Sequence, residues 1–163
     1  MDGPIAAYLN DHLGGSAYGS DLAKHVADRA EGTPLQPSLE VIASQIEVDR
    51  QTLSDFMDRT DTAKNPIKQA VTWLGEKATR AGLAVRSTGE EHFGLLLGLE
   101  ALSLGVEGKA CLWSVLQTLT DRYPELATLD LPALEVRARS QRETIEAARL
   151  TAARLAFAGE STG

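Results

Sequence analysis

The chain has 163 residues, 43% of them hydrophobic, 24% charged and 5% aromatic, with a net charge of -7. That length suits one domain with its own core, the apolar content excludes disorder, and a mean hydropathy of -0.16 without a long charge-free apolar run excludes a membrane span. Twenty-three acidic residues against 16 basic ones argue against nucleic-acid binding, which needs clustered cations for the phosphates.

Helix formers dominate, and alternating runs of β-branched or aromatic residues are missing. The spacing predicts a first helix over 4–31. Ile5, Leu9, His12, Ser16, Gly19, Ala23, Val26 and Ala30 form its inner stripe, with Asn10, Asp21, His25 and Asp28 opposite. Gly32 to Pro37 then breaks the chain. A second helix is expected over 35–59, with Leu39, Ile42, Ile46, Leu53 and Met57 inward and Glu40, Ser44, Glu47, Gln51 and Asp58 outward. A third is expected over 66–84. Asn65 is its N-cap, Pro66 its first residue, and Ile67, Val71, Leu74, Ala78 and Ala81 its inner face.

Ser87 with Glu90, or Thr88 with Glu91, has capping-box spacing for a fourth helix over 90–122, with a break near Gly105 or Gly108 as the alternative to one piece. Gly94, Gly98, Ala101, Gly105 and Gly108 recur there at 4,3,4,3. Glycine inside a helix costs ~1 kcal/mol relative to alanine, so the stripe is expected to be a close-packing ridge, with Gly15 and Gly19 of the first helix as the matching surface. A ligand lying on the ridge and a tight homodimer crossing are the alternatives. Asp130 caps the last helix, 131–158, where Leu134, Ala138, Gln141, Ile145, Ala148, Ala152 and Leu155 keep a heptad register. Five arginines against three glutamates give residues 132–158 a charge of +2, leaving -9 for the rest. That basic run reads either as a solvated face or as an electrostatic dock on the acidic bundle. Glu135–Arg139 and Arg142–Glu146 are its i,i+4 pairs. Residues 159–163 are expected to fray.

Polar residues interrupt the inner faces. His12 sits mid-stripe on the first helix, and Asp49 and Arg50 straddle the inner face of the second. With helices alternating up and down at about 1.5 Å per residue, all three reach one level. Lys109 falls near the bundle end and is expected to reach water along its stem. Two readings of the cluster stand. In the first, Asp49 accepts from Arg50 or His12 in an internal network closed by Ser16 or Tyr8. In the second, the cluster is a ligand site where Arg50 recognises a small anion, or a catalytic site with His12 as base and Asp49 orienting it. Cys111 is the lone cysteine and lacks an evident base, and no Gly-x-Ser-x-Gly elbow occurs, so no catalytic residue is assigned.

Long helices in this number and order resemble the ferritin-like four-helix bundles, with a fifth C-terminal helix added. Di-iron members of that family place Glu on two helices and Glu-x-x-His on the other two. The matching positions are Asp11, Glu47-Val48-Asp49-Arg50, Glu76 and Glu100-Ala101-Leu102-Ser103. Arg50 and Ser103 stand where the histidines would be. The resemblance is therefore to members lacking the di-iron motif, and no metal or cofactor is expected.

The expectation is an all-α antiparallel bundle of four long helices plus a C-terminal fifth, forming one domain over 1–163. It is read as a bacterial-type, non-catalytic protein acting through protein or small-ligand association. A homo-oligomer with a small anionic ligand is expected, without nucleic-acid or membrane partners. The single cysteine and an N-terminus without the features of a signal peptide point to the cytoplasm. The alternative function is a ferritin-like metal-binding protein or oxidoreductase with a degenerate carboxylate/His site.

Overall fold

Helical periodicity dictates what forms in a computed structural model of the chain, which describes residues 1–64 and 91–158. Within them lie four α-helices and a 3-10 turn, with no strand. The helices are α1 (Gly3–Arg29), α2 (Gln36–Arg59), α3 (Glu91–Gln117) and α4 (Leu131–Phe157), and the turn is Pro124–Thr128. The class is all-α. The expected helix at 66–84, its Asn65-Pro66 start and the Ser87/Glu90 and Thr88/Glu91 pairs fall outside the described residues or rest on them, as does the tail from 159.

Local chemistry accounts for the boundaries. Proline stands in the first turn of α1, α2 and α4, where its missing N–H would have no partner anyway. Asp130 caps α4 by accepting from the Ala133 N–H at 3.1 Å. Between α1 and α2, Gly32 adopts φ +73°, a left-handed conformation that side chains resist. The helix α3 runs unbroken through Gly105 and Gly108.

Four helices close into a ring. α1 packs on α2 and α3, α3 packs most extensively on α4, and α4 returns to α2 along the thinnest seam. Paired residues give the directions. Ser20 meets Glu47 and the Met1 ammonium meets Thr60, so α1 and α2 are antiparallel. Val26 faces Gly98 while His12 shares a cavity with Lys109, so α1 and α3 are antiparallel as well. Gln117–Glu135 with Arg149–Glu100 orients α4 against α3, and Asp49–Arg137 with Gln45–Gln141 orients it against α2. Each helix thus runs opposite to both neighbours. It follows that α2 and α3 run the same way, with Arg59 and Glu91 at opposite ends of the bundle.

The inner stripes of α1 and α2 are where their periodicity placed them, with Ile5, Leu9, Ala23, Val26, Leu39, Ile42, Ile46, Leu53 and Met57 all buried. Two expectations need correction. Asn10 is buried rather than outward, because its amide donates to the carbonyls of Ala6 and Ala63, both at 2.8 Å. Leu155 is exposed, since the stripe of α4 outlasts its contact with the core. Among the described helices the C-terminal one forms a side of the ring. Its basic run docks on the acidic body through Arg137 to Asp49, Arg142 to Glu107 and Arg149 to Glu100. Of the expected i,i+4 pairs Glu135–Arg139 forms, whereas Arg142 bonds Glu107 and Glu146 bonds Arg149.

Candidate functional site

The glycine stripe of α3 behaves in two ways along its length. At Gly98 a Cβ would come within 2.9 Å of Val26 Cγ2, so the α1 side chain fills that space and the position needs a small residue, as on a close-packing ridge. Two and three turns further on, the expectation fails. A Cβ at Gly105 or Gly108 would meet nothing within 4 Å, and the same holds at Gly15 and Gly19 of α1. The facing glycines do match, but they leave a space instead of a contact.

That space is a cavity of about 180 Å³ between α1, α2 and α3. Its wall includes Gly15, Gly19, Leu22, Ile46, Leu53, Ala101, Leu102, Gly105, Val106, Gly108, Leu112 and Trp113, with Asp11, His12, Ser16, Tyr18, Asp49, Arg50 and Lys109 supplying its polar part. All three residues of the expected cluster therefore border one cavity. They are not bonded to each other in the way the sequence suggested.

Asp49 is 1% exposed and accepts from α3 and α4 rather than from Arg50 or His12. Its Oδ2 receives Lys109 Nζ at 2.5 Å and Gln141 Nε2 at 3.3 Å, and its Oδ1 receives Arg137 Nη2. Gln141 Oε1 accepts a second Lys109 proton at 2.5 Å, and Gln141 Nε2 also donates to Gln45 Oε1 at 3.1 Å. The network joins α2, α3 and α4 across the thin α2–α4 seam. Burial pushes the Lys109 ammonium below its ordinary value, against the pull of Asp49. One carboxylate with two cations leaves the cluster a net positive charge.

Arg50 turns outward along its own helix and binds Glu47 at 2.6 Å. Together with a 2.5 Å hydrogen bond from Ser20, that guanidinium holds the Glu47 carboxyl at about 2. His12 packs edge-on to Tyr8, with ring centroids 4.6 Å apart. Burial lowers its pKa, so the imidazole is neutral near neutral pH. Ser16 donates to the Leu13 carbonyl.

Four site residues escaped the sequence reading, and three of them had left a signal. Gln141 is the polar break in an apolar heptad stripe. Lys109 lies on the inner side of α3 yet was placed at the bundle end, and it is in fact only 14% exposed at its side chain. Arg137 was read within the basic surface run. Trp113 carried no signal beyond being a tryptophan one turn after Lys109. It is buried in the cavity wall, and its indole Nε1–H has no hydrogen-bond partner.

Among the described residues, no group of three or more His, Cys, Asp or Glu is placed to hold a metal ion. Of the positions that correspond to ferritin-like ligands, Asp11 and Glu100 are exposed, and Glu47 is engaged by Arg50 and Ser20. Glu76 lies outside the described residues. No described helix is long and apolar enough to cross a membrane. No family model, no curated protein and no solved structure matches the chain.

Proposed function

We propose that this chain is a small-ligand-binding helical bundle, holding a largely apolar molecule in the cavity between α1, α2 and α3. The observation that carries this reading is the set of helical glycines around the cavity. Glycine within a helix is disfavoured by ~1 kcal/mol each, and close packing offsets that cost at Gly98. At Gly15, Gly19, Gly105 and Gly108 no neighbouring atom would object to a methyl group, so an occupant supplies the reason for open space. The volume sets the scale of that occupant. An apolar cavity of about 150 Å³ takes up benzene, so the space here suits one six-membered ring with a small substituent.

In this reading the central carboxylate, Asp49, is neutralised by Lys109 and Arg137, which favours an organic ligand over a metal-based function.

Titration of the full chain with toluene and with benzoate, followed by amide NMR at Gly105 and Gly108, tests the proposal. At least one of the two should give saturable shifts, and Gly105→Leu, which fills the space, should abolish them while circular dichroism stays helical. If neither compound shifts those amides, the reading is wrong. Iron(II) or manganese(II) titration with His12→Ala and Glu100→Ala controls supplies the opposing result. Stoichiometric metal binding lost in either variant would replace the ligand-cavity function with the metal one.

A further inference from the structure

We infer that the molecule held in the cavity is a small monocarboxylate with an aromatic or comparably compact apolar body, and that Lys109 and Trp113 receive its acidic head. This rests on the cavity reading above and adds the chemistry of the ligand. Around Asp49, on one side of the space, the donors outnumber the acceptors. Both Asp49 oxygens are engaged, one by Arg137 and the other by Lys109 and Gln141. The Gln141 carbonyl is taken by Lys109. Lys109 has three N–H bonds and uses two, on Asp49 and Gln141, so one remains. The Trp113 indole N–H is buried in the cavity wall without an acceptor, which is costly for a donor shut away from water.

These two donors belong together. Lys109 and Trp113 are four residues apart on α3, so their side chains stand on one face a turn apart, and both border the cavity. A carboxylate has two oxygens and can accept from both at once. Charge points the same way. Asp49 with Lys109 and Arg137 sums to one positive charge, and Arg50 is already neutralised by Glu47. His12 borders the space as a neutral ring, and Asp11, the other acid on the wall, is exposed to water. Apart from Ser16 and the Tyr18 hydroxyl, the rest of the lining is aliphatic, glycine or aromatic, which suits an apolar body. The recognising cation is thus Lys109, not the Arg50 that the sequence suggested.

The test is a set of compounds of one shape, namely toluene, benzyl alcohol, benzoate and benzylammonium. Each is titrated into the full chain at pH 7 and followed at the Gly105 and Gly108 amides. Benzoate should bind about tenfold or more tightly than toluene, because hydrogen bonds to a charged group outweigh neutral contacts. Benzylammonium should be the weakest. Trp113→Phe keeps a ring in place and removes only the N–H, so it should cut benzoate affinity about tenfold and leave toluene unchanged. Lys109→Met should remove the preference for benzoate, and the phenylalanine variant decides the matter if the methionine one does not fold. Toluene binding as well as benzoate, or benzylammonium binding best, would overturn this inference while leaving the cavity reading intact. Binding of none of the four would overturn both.

Discussion

Asp49 concentrates the electrostatic cost of this fold. A carboxylate removed from water is tolerated because Lys109, Arg137 and Gln141 fill its lone pairs. Asp49→Asn would leave two cations facing each other without their counter-ion. We expect a loss of about 3–5 kcal/mol in urea unfolding, the range for breaking a buried pair from one side. Two further groups contribute to the pH dependence of stability. The folded pKa of His12 is lowered, so below its ordinary 6.5 the unfolded chain binds more protons, and stability falls as pH drops through the folded value. Glu47 is held at about 2 by Arg50 and Ser20, so its contribution is complete above the ordinary 4.5 and is lost as pH falls toward 2. Glu47 is about a third exposed and solvent screens it, so the second loss is the smaller. Urea midpoints measured from pH 8 to pH 2 should decline over both windows. His12→Phe should flatten the upper one and Glu47→Gln the lower; an unchanged profile in both variants would contradict the assignment.

At the scale of the element, one stripe on α3 does two jobs that the sequence does not separate. Gly98, Gly105 and Gly108 share a face and a spacing, yet the first touches Val26 and the others border open space. The same substitution should therefore have opposite signs. Gly105→Ala and Gly108→Ala should each raise stability by about 0.5–1 kcal/mol, since they gain helix propensity without a clash. Gly98→Ala should lower it by about 1 kcal/mol or more. Its methyl group would press on a β-branched side chain that has few alternative rotamers. Thermal melts of the three variants measure this directly. Three gains would show that α1 and α3 are not in close contact at Val26. The sequence could mark the stripe as small, because glycine is visible wherever it stands. It could not say how far the facing helix is, since that depends on the axis-to-axis distance along the whole crossing.

For the whole molecule, the ring of alternating directions explains why the basic helix closes it. With +2 over residues 132–158 against -9 elsewhere, α4 fits beside acidic neighbours, and Arg142 and Arg149 cross to Glu107 and Glu100 on α3. Those exposed pairs contribute little each, and the buried apolar seam between α3 and α4 dominates. Outside the ring, α2 presents Val41 and Val48 to solvent and α4 presents Val136, 67% exposed. These residues support the proposal of a homo-oligomer, and light scattering should give a mass that is a multiple of 17.4 kDa. A monomer at all accessible concentrations would refute it.

Composition and periodicity alone determined that this chain is helical, where α1, α2 and α4 begin and end to within a few residues, and which of their faces are greasy. These are properties of the chain within a few turns, set by side-chain spacing, capping and proline. The same reading placed His12, Asp49 and Arg50 at one level, and all three do border one cavity. The bonding at that level was decided by tertiary structure. Asp49 pairs with residues 60 and 88 positions away, on helices whose rotation about their own axes no local pattern encodes. Whether a glycine stripe seals a crossing or opens a cavity was decided in the same way, because it depends on the distance between two helices and not on either helix alone.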